Sequence, residues 1–162
     1  MTLRTTRDGL FQYSEEEGGT DEVTFRELSV TEIERVMARV AEVHRLLDEY
    51  LPGQSEQGVS PRVLDQLFVK WLADSRHDKA EAESIATVLG STFAYYLQGR
   101  KALSWAVAQA SGEEPTLAVT NRVLGLTLYP IWSVQKRIAA GSAGFFEPIY
   151  AVVEEKLNEL HH

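Results

Sequence analysis

The chain's 162 residues are enough for one domain with a buried core, and 44% apolar with 25% charged residues is the composition of a soluble globule. No apolar run approaches the ~20 residues that a membrane span needs, and the lack of cysteine excludes a disulfide framework, a thiolate metal site and a cysteine nucleophile. The net charge of −8 is segregated: residues 1–60 carry 13 acids against 6 bases (−7) and residues 61–162 carry 11 against 10 (−1), so the N-terminal third disfavours nucleic acid and favours a basic partner.

Met1 to Arg7 lacks the apolar core of a signal peptide, which points to a cytoplasmic protein. Residues 1–28 read as an acidic N-terminal arm or hairpin, ahead of a single α+β domain over residues 29–162. Leu10-Phe11-Gln12-Tyr13 and Val23-Thr24-Phe25 are two short strand candidates. The run Ser14 to Glu22 between them is too polar to pack, and it is expected to be mobile and dispensable for folding. Its acids Glu15, Glu16, Glu17, Asp21 and Glu22 are candidate contacts for a basic protein partner.

A first helix opens at Ser29. Ser29 and Glu32 have the spacing of a capping box, with Leu28 and Ile33 placed as a hydrophobic staple. Ile33, Val36, Met37, Val40, Val43, Leu47 and Leu51 form an apolar stripe at helical period, and Pro52-Gly53 ends it. The acids and arginines of this helix lie off the stripe, as on a solvated face. Ser60-Pro61 opens a second helix, with proline at its first position and Val63, Leu64, Leu67, Phe68, Trp71 and Leu72 on its buried face. Asp78 with Glu81 opens a third, which runs to about Gln98. Its small residues Ala82, Ala86, Gly90 and Ala94 recur every four positions, and so do the large Ile85, Leu89, Phe93 and Leu97. A ridge of small residues predicts a tight contact with a neighbouring helix at Gly90.

The period then falls to two. Leu103, Trp105 and Val107 alternate with small or polar residues, and Gly112 to Pro115 forms a turn. Thr116 to Thr120 and Val123 to Tyr129 read as two further strands. The three strands form a small antiparallel meander that needs helices on one face. A corner at Tyr129-Pro130 leads into a short helix with Ile131, Val134 and Ile138 on its apolar side, a basic pair at Lys136-Arg137 and a glycine stop at Gly141. A last helix packs Ile149, Tyr150, Val153, Leu157 and Leu160, with Phe145-Phe146 at the junction. His161-His162 carry no assigned role. The fold class is α+β: a helical domain with a small three-stranded antiparallel meander and flanking helices.

Leu89-Gly90, Trp105-Ala106-Val107, the Gly112–Pro115 turn and Tyr129-Pro130-x-x-x-Val134-x-Lys136-Arg137-Ile138-x-x-Gly141 together resemble the bacterial domain of unknown function 3806 family, over roughly residues 78–155. Members often carry an acid soon after the tryptophan strand, where this chain has Gln109 and Ala110. The resemblance implies a fold and no activity.

No nucleophile elbow, phosphate loop or dinucleotide fingerprint is present. His44 and His77 lack metal-ligand spacing, and no metal or cofactor is expected. Lys136 and Arg137 suit the C-terminal end of a helix dipole. With Tyr129 and Trp132 they also compose a candidate anion or partner site at the strand-to-helix corner. Trp71, Trp105 and Trp132 are expected in the core, and of Tyr95-Tyr96 one should pack and one point out. Two functions follow, beside a third class, an enzyme whose site carries no recognised motif. One is a non-catalytic interaction protein, immunity- or antitoxin-like, whose acidic third covers a basic partner. The other is a small-ligand or anion-binding sensor using Tyr129, Trp132, Lys136 and Arg137. The sequence leaves the oligomeric state open.

Overall fold

The computed structural model of the chain describes residues 2–5, 10–14, 23–74, 77–99, 103–121 and 123–159, the first two stretches as backbone only. Glu15, Glu16, Glu17, Asp21, Glu22 and His161-His162 lie outside them. In chain order the elements are β1 (Thr2–Thr5), β2 (Leu10–Ser14), β3 (Val23–Arg26), α1 (Val30–Tyr50), α2 (Pro61–Ala73), α3 (Lys79–Gln98), β4 (Ser104–Ala110), β5 (Thr116–Asn121), β6 (Leu126–Leu128), α4 (Pro130–Ala140) and α5 (Phe146–Glu159). The class is α+β, with all the strand pairs antiparallel.

The helix starts follow their local chemistry. Ser29 Oγ accepts the Glu32 N–H at 3.2 Å, and Glu32 Oε1 accepts the Ser29 N–H at 2.9 Å, closing the capping box of α1. Ser60 Oγ accepts the Val63 N–H at 3.3 Å, ahead of Pro61. Asp78 Oδ1 accepts the Glu81 N–H at 2.8 Å. Each of these contacts satisfies an orphan donor of a first turn. The stripe on α1 is buried at Val36, Val43 and Leu47. Met37 is exposed instead, and Leu46 takes the buried place.

α3 is the central helix. It buries residues on most of its circumference between Ile85 and Leu97, because α1, α4 and the sheet all pack on it. Gly90 sits where α4 comes closest. A Cβ on Gly90 would lie 2.6 Å from both the backbone N and Cα of Ile131, so only a glycine fits unless the helices part. The expected tight helix contact is therefore with the first turn of α4.

Three consecutive strands, β4, β5 and β6, form a meander, but the sheet is larger than three strands. Among the described residues it has six, in the order β1-β2-β6-β5-β4-β3. The two strand candidates of residues 1–28 are present, and they do not pair with each other. β3 pairs with β4 (Phe25 opposite Ala108), while β2 pairs with β6 (Phe11 opposite Thr127) and with β1. Each thereby covers an edge whose N–H and C=O groups the meander alone would leave open. β6 is shorter than Val123 to Tyr129, because Asn121 Oδ1 accepts the Leu124 N–H at 2.9 Å and Gly125 turns with φ of 64°. One sheet face carries Leu117, Val119, Leu126 and Leu128 into the main core with the helices. The opposite face is small, with Ala108 and Ala118 packed against Tyr129.

Two contacts bind the C-terminal helices. Gly141, with φ of 66°, ends α4, and the Ser142 N–H reaches back to Arg137 O at 3.1 Å. Asp65 on α2 caps α5 from a distance in sequence. Its Oδ1 accepts the N–H groups of Phe145 (2.8 Å) and Phe146 (2.7 Å), and its Oδ2 accepts that of Glu147 (2.8 Å). Phe93, Phe145 and Phe146 then meet edge to face in the core. Among the described residues no helix is long and apolar enough to cross a membrane.

Candidate functional site

The strand-to-helix corner opens onto a groove of about 750 Å³, within the range of small-molecule sites. α1 forms one wall through Glu32, Arg35, Val36 and Arg39. The β4–β5 turn forms another through Ser111, Glu113, Glu114 and Pro115, and the corner supplies Tyr129, Ile131 and Trp132. The groove exists because α4 is drawn against α3 at Gly90 while α1 crosses the same helix on another side. It therefore has helical walls on α1 and α4 and a turn at its β4–β5 side.

Tyr129 is buried, and Trp132 is 41% exposed at the rim. Their rings meet edge to face with centroids 6.1 Å apart. Lys136 and Arg137 follow on α4, one turn on from Trp132, but they do not line the groove. Lys136 Nζ lies 4.7 Å from the Trp132 ring centroid, and the Arg137 guanidinium lies 5.4 Å from that of Phe145. The structure thus brings Tyr129 and Trp132 together as groove walls. It uses Lys136 to pin the Trp132 indole and Arg137 to cover the Phe145 side of the core.

The groove's cations come instead from α1. Arg35 and Arg39 are one helical turn apart, and both line it. Neither has a carboxylate within salt-bridge distance among the described residues. The neighbouring arginines differ: Arg26 grips both oxygens of Glu32 (2.6 and 2.9 Å), and Arg45 pairs with Glu42 and, at 3.8 Å, with Glu49. Burial, and then the charge of Arg35, holds the Arg39 guanidinium below the usual arginine pKa. Arg26, and then the Ser29 N–H, pushes the Glu32 carboxyl down to about 2. Sequence reasoning assigned Arg35 and Arg39 to a solvated face. The available signal was their spacing, since like charges at i and i+4 disfavour a helix that gains nothing from them.

The other singled-out side chains have structural partners. The His77 ring stacks on Trp71 at 4.0 Å and 9°, with Nδ1 2.8 Å from Glu81 Oε2 and Nε2 3.1 Å from the Tyr50 hydroxyl, which in turn donates to Asp74 Oδ2 at 2.9 Å. This cluster fastens the end of α1 to the α2–α3 junction. His44 Nδ1 meets Ser55 Oγ at 2.7 Å. Tyr95 is exposed, and Tyr96 packs on Tyr150. Among the described residues no three histidine, aspartate or glutamate side chains converge as metal ligands would. Compared with known families, with curated proteins and with solved structures, the chain finds no match at any of the three levels.

Proposed function

We propose that this is a non-catalytic cytoplasmic binding protein whose site is the groove between α1, the β4–β5 turn and the Tyr129–Trp132 corner, and that it takes a small ligand with a flat apolar body. The supporting observation is the pairing of a groove of about 750 Å³ with a large aromatic left 41% exposed at its rim. Lys136 Nζ lies 4.7 Å from the Trp132 ring centroid and holds the indole at the groove rim, where it can contact a ligand. The lining supplies threonine, serine and glutamate but no histidine that would pair with them as a base. The proposal extends to kinship: the corner signature Tyr129 to Gly141 resembles that of the domain of unknown function 3806 family, which implies no activity.

The test is fluorescence titration with the uncharged dye N-phenyl-1-naphthylamine. One saturable site per chain is expected, weakened about tenfold or more by Trp132→Ala, as when an aromatic anchor is truncated. Binding that does not saturate, or that ignores the substitution, would remove the groove from consideration. The segregated acidic charge, −7 over residues 1–60, favours a second reading as an immunity-like cover for a basic protein. That reading expects association to slow as salt rises and to weaken when Glu15, Glu16, Glu17, Asp21 and Glu22 are neutralised.

A further inference from the structure

We infer that the ligand of this groove is a monoanion, a carboxylate or sulfonate on a flat apolar body, with Arg35 and Arg39 as its anchors. The inference rests on the groove being the binding site, and it adds the charge and the chemical class of what enters.

Arg35 and Arg39 stand one turn apart on α1 and line the groove. Two guanidiniums held side by side repel each other, and the partial burial of Arg39 makes that repulsion harder for water to screen. Glu42 and Glu83 border the same two arginines, but among the described residues no carboxylate lies within salt-bridge distance of either. The nearest groove acid on α1, Glu32, has both of its oxygens engaged by Arg26. An anion bound between the two arginines would supply the missing counter-charge through charge-assisted hydrogen bonds, and guanidinium geometry matches a carboxylate or sulfonate.

The opposite lip limits that charge. Glu113 and Glu114 line the groove from the β4–β5 turn, and neither is paired within salt-bridge distance among the described residues. A single negative group satisfies the arginines, and each further negative charge in the groove adds repulsion from Glu113 and Glu114. A polyphosphate would extend toward like charges in a chain already at −8. The half-exposed Trp132 indole, set edge to face against the buried Tyr129, then offers an apolar surface to the rest of the ligand.

Two dyes with one scaffold test this on the full chain: 8-anilino-1-naphthalenesulfonate, and N-phenyl-1-naphthylamine, which is the same body without the sulfonate. At low salt the sulfonate is expected to bind about tenfold tighter than its neutral twin, an advantage that shrinks as salt rises. Arg35→Gln/Arg39→Gln should abolish that advantage, bringing the affinities of the two dyes together. Arg35→Gln alone, at an exposed position, should remove part of it, and this variant decides if the double variant does not fold. Inorganic triphosphate should fail to displace the sulfonate dye. Equal affinity for the two dyes, or an advantage that survives the arginine substitutions, would overturn the anion assignment and leave the groove standing. Displacement by triphosphate would overturn the limit to one charge. Indifference of both dyes to Trp132→Ala would instead remove the groove itself.

Discussion

Glu32 closes the α1 capping box and grips Arg26 at the end of β3 with the same carboxylate. Its pKa falls from an ordinary 4.5 to about 2, chiefly because of Arg26. A depressed carboxylate pKa means stabilisation that is complete above the unfolded value and lost as pH falls through the folded one. The melting-temperature difference between wild type and Glu32→Gln should therefore be full at neutral pH, decline below about pH 4.5 and vanish near pH 2. A constant difference across that window would mean that Arg26 does not hold Glu32 in solution. The capping half of this residue was legible, because Ser29 and Glu32 are three positions apart. The Arg26 half depended on where β3 pairs, which lies far away in sequence. The candidate site divides in the same way. Tyr129 and Trp132 were legible because one corner carries both of them. Arg35 and Arg39 were not, because only the packing of α1 and α4 on the same helix, α3, turns their face into a wall.

At the scale of elements, the α3–α4 contact is set by the missing side chain at Gly90. Alanine there would improve helix propensity by roughly 1 kcal/mol. Its Cβ would also meet the Ile131 backbone at 2.6 Å, and backbone yields less easily than a side chain. We expect Gly90→Ala to lose about 1–3 kcal/mol net, as overpacked cores do, measured by denaturant unfolding. A gain in stability would show that α4 shifts freely. The small-residue ridge made this contact visible in the sequence, but its partner was not named there. Helix starts at Ser29, Ser60 and Asp78 were likewise visible, since capping is local. The cap on α5 was not. Asp65 reaches the N–H groups of Phe145, Phe146 and Glu147 from 80 to 82 positions away, and no short-range pattern encodes that.

For the molecule as a whole, the sheet is finished at both edges by the N-terminal segment. β2 covers β6, and β3 covers β4. Removing residues 1–14 should leave β6 as an open edge, and such edges recruit other strands. Sedimentation should then show concentration-dependent association of the truncated chain. A monodisperse truncated chain would mean that β1 and β2 are not needed to guard that edge. The arrangement also bears on how the protein is made. β3 leaves the ribosome early, yet Thr24 faces Gln109, 85 positions later, and Gln12 waits for Leu126. The helices can gather as they emerge, but the sheet cannot close until β6 has been made. Its slowest folding step should therefore be the late capture of β2 and β3 by β6 and β4.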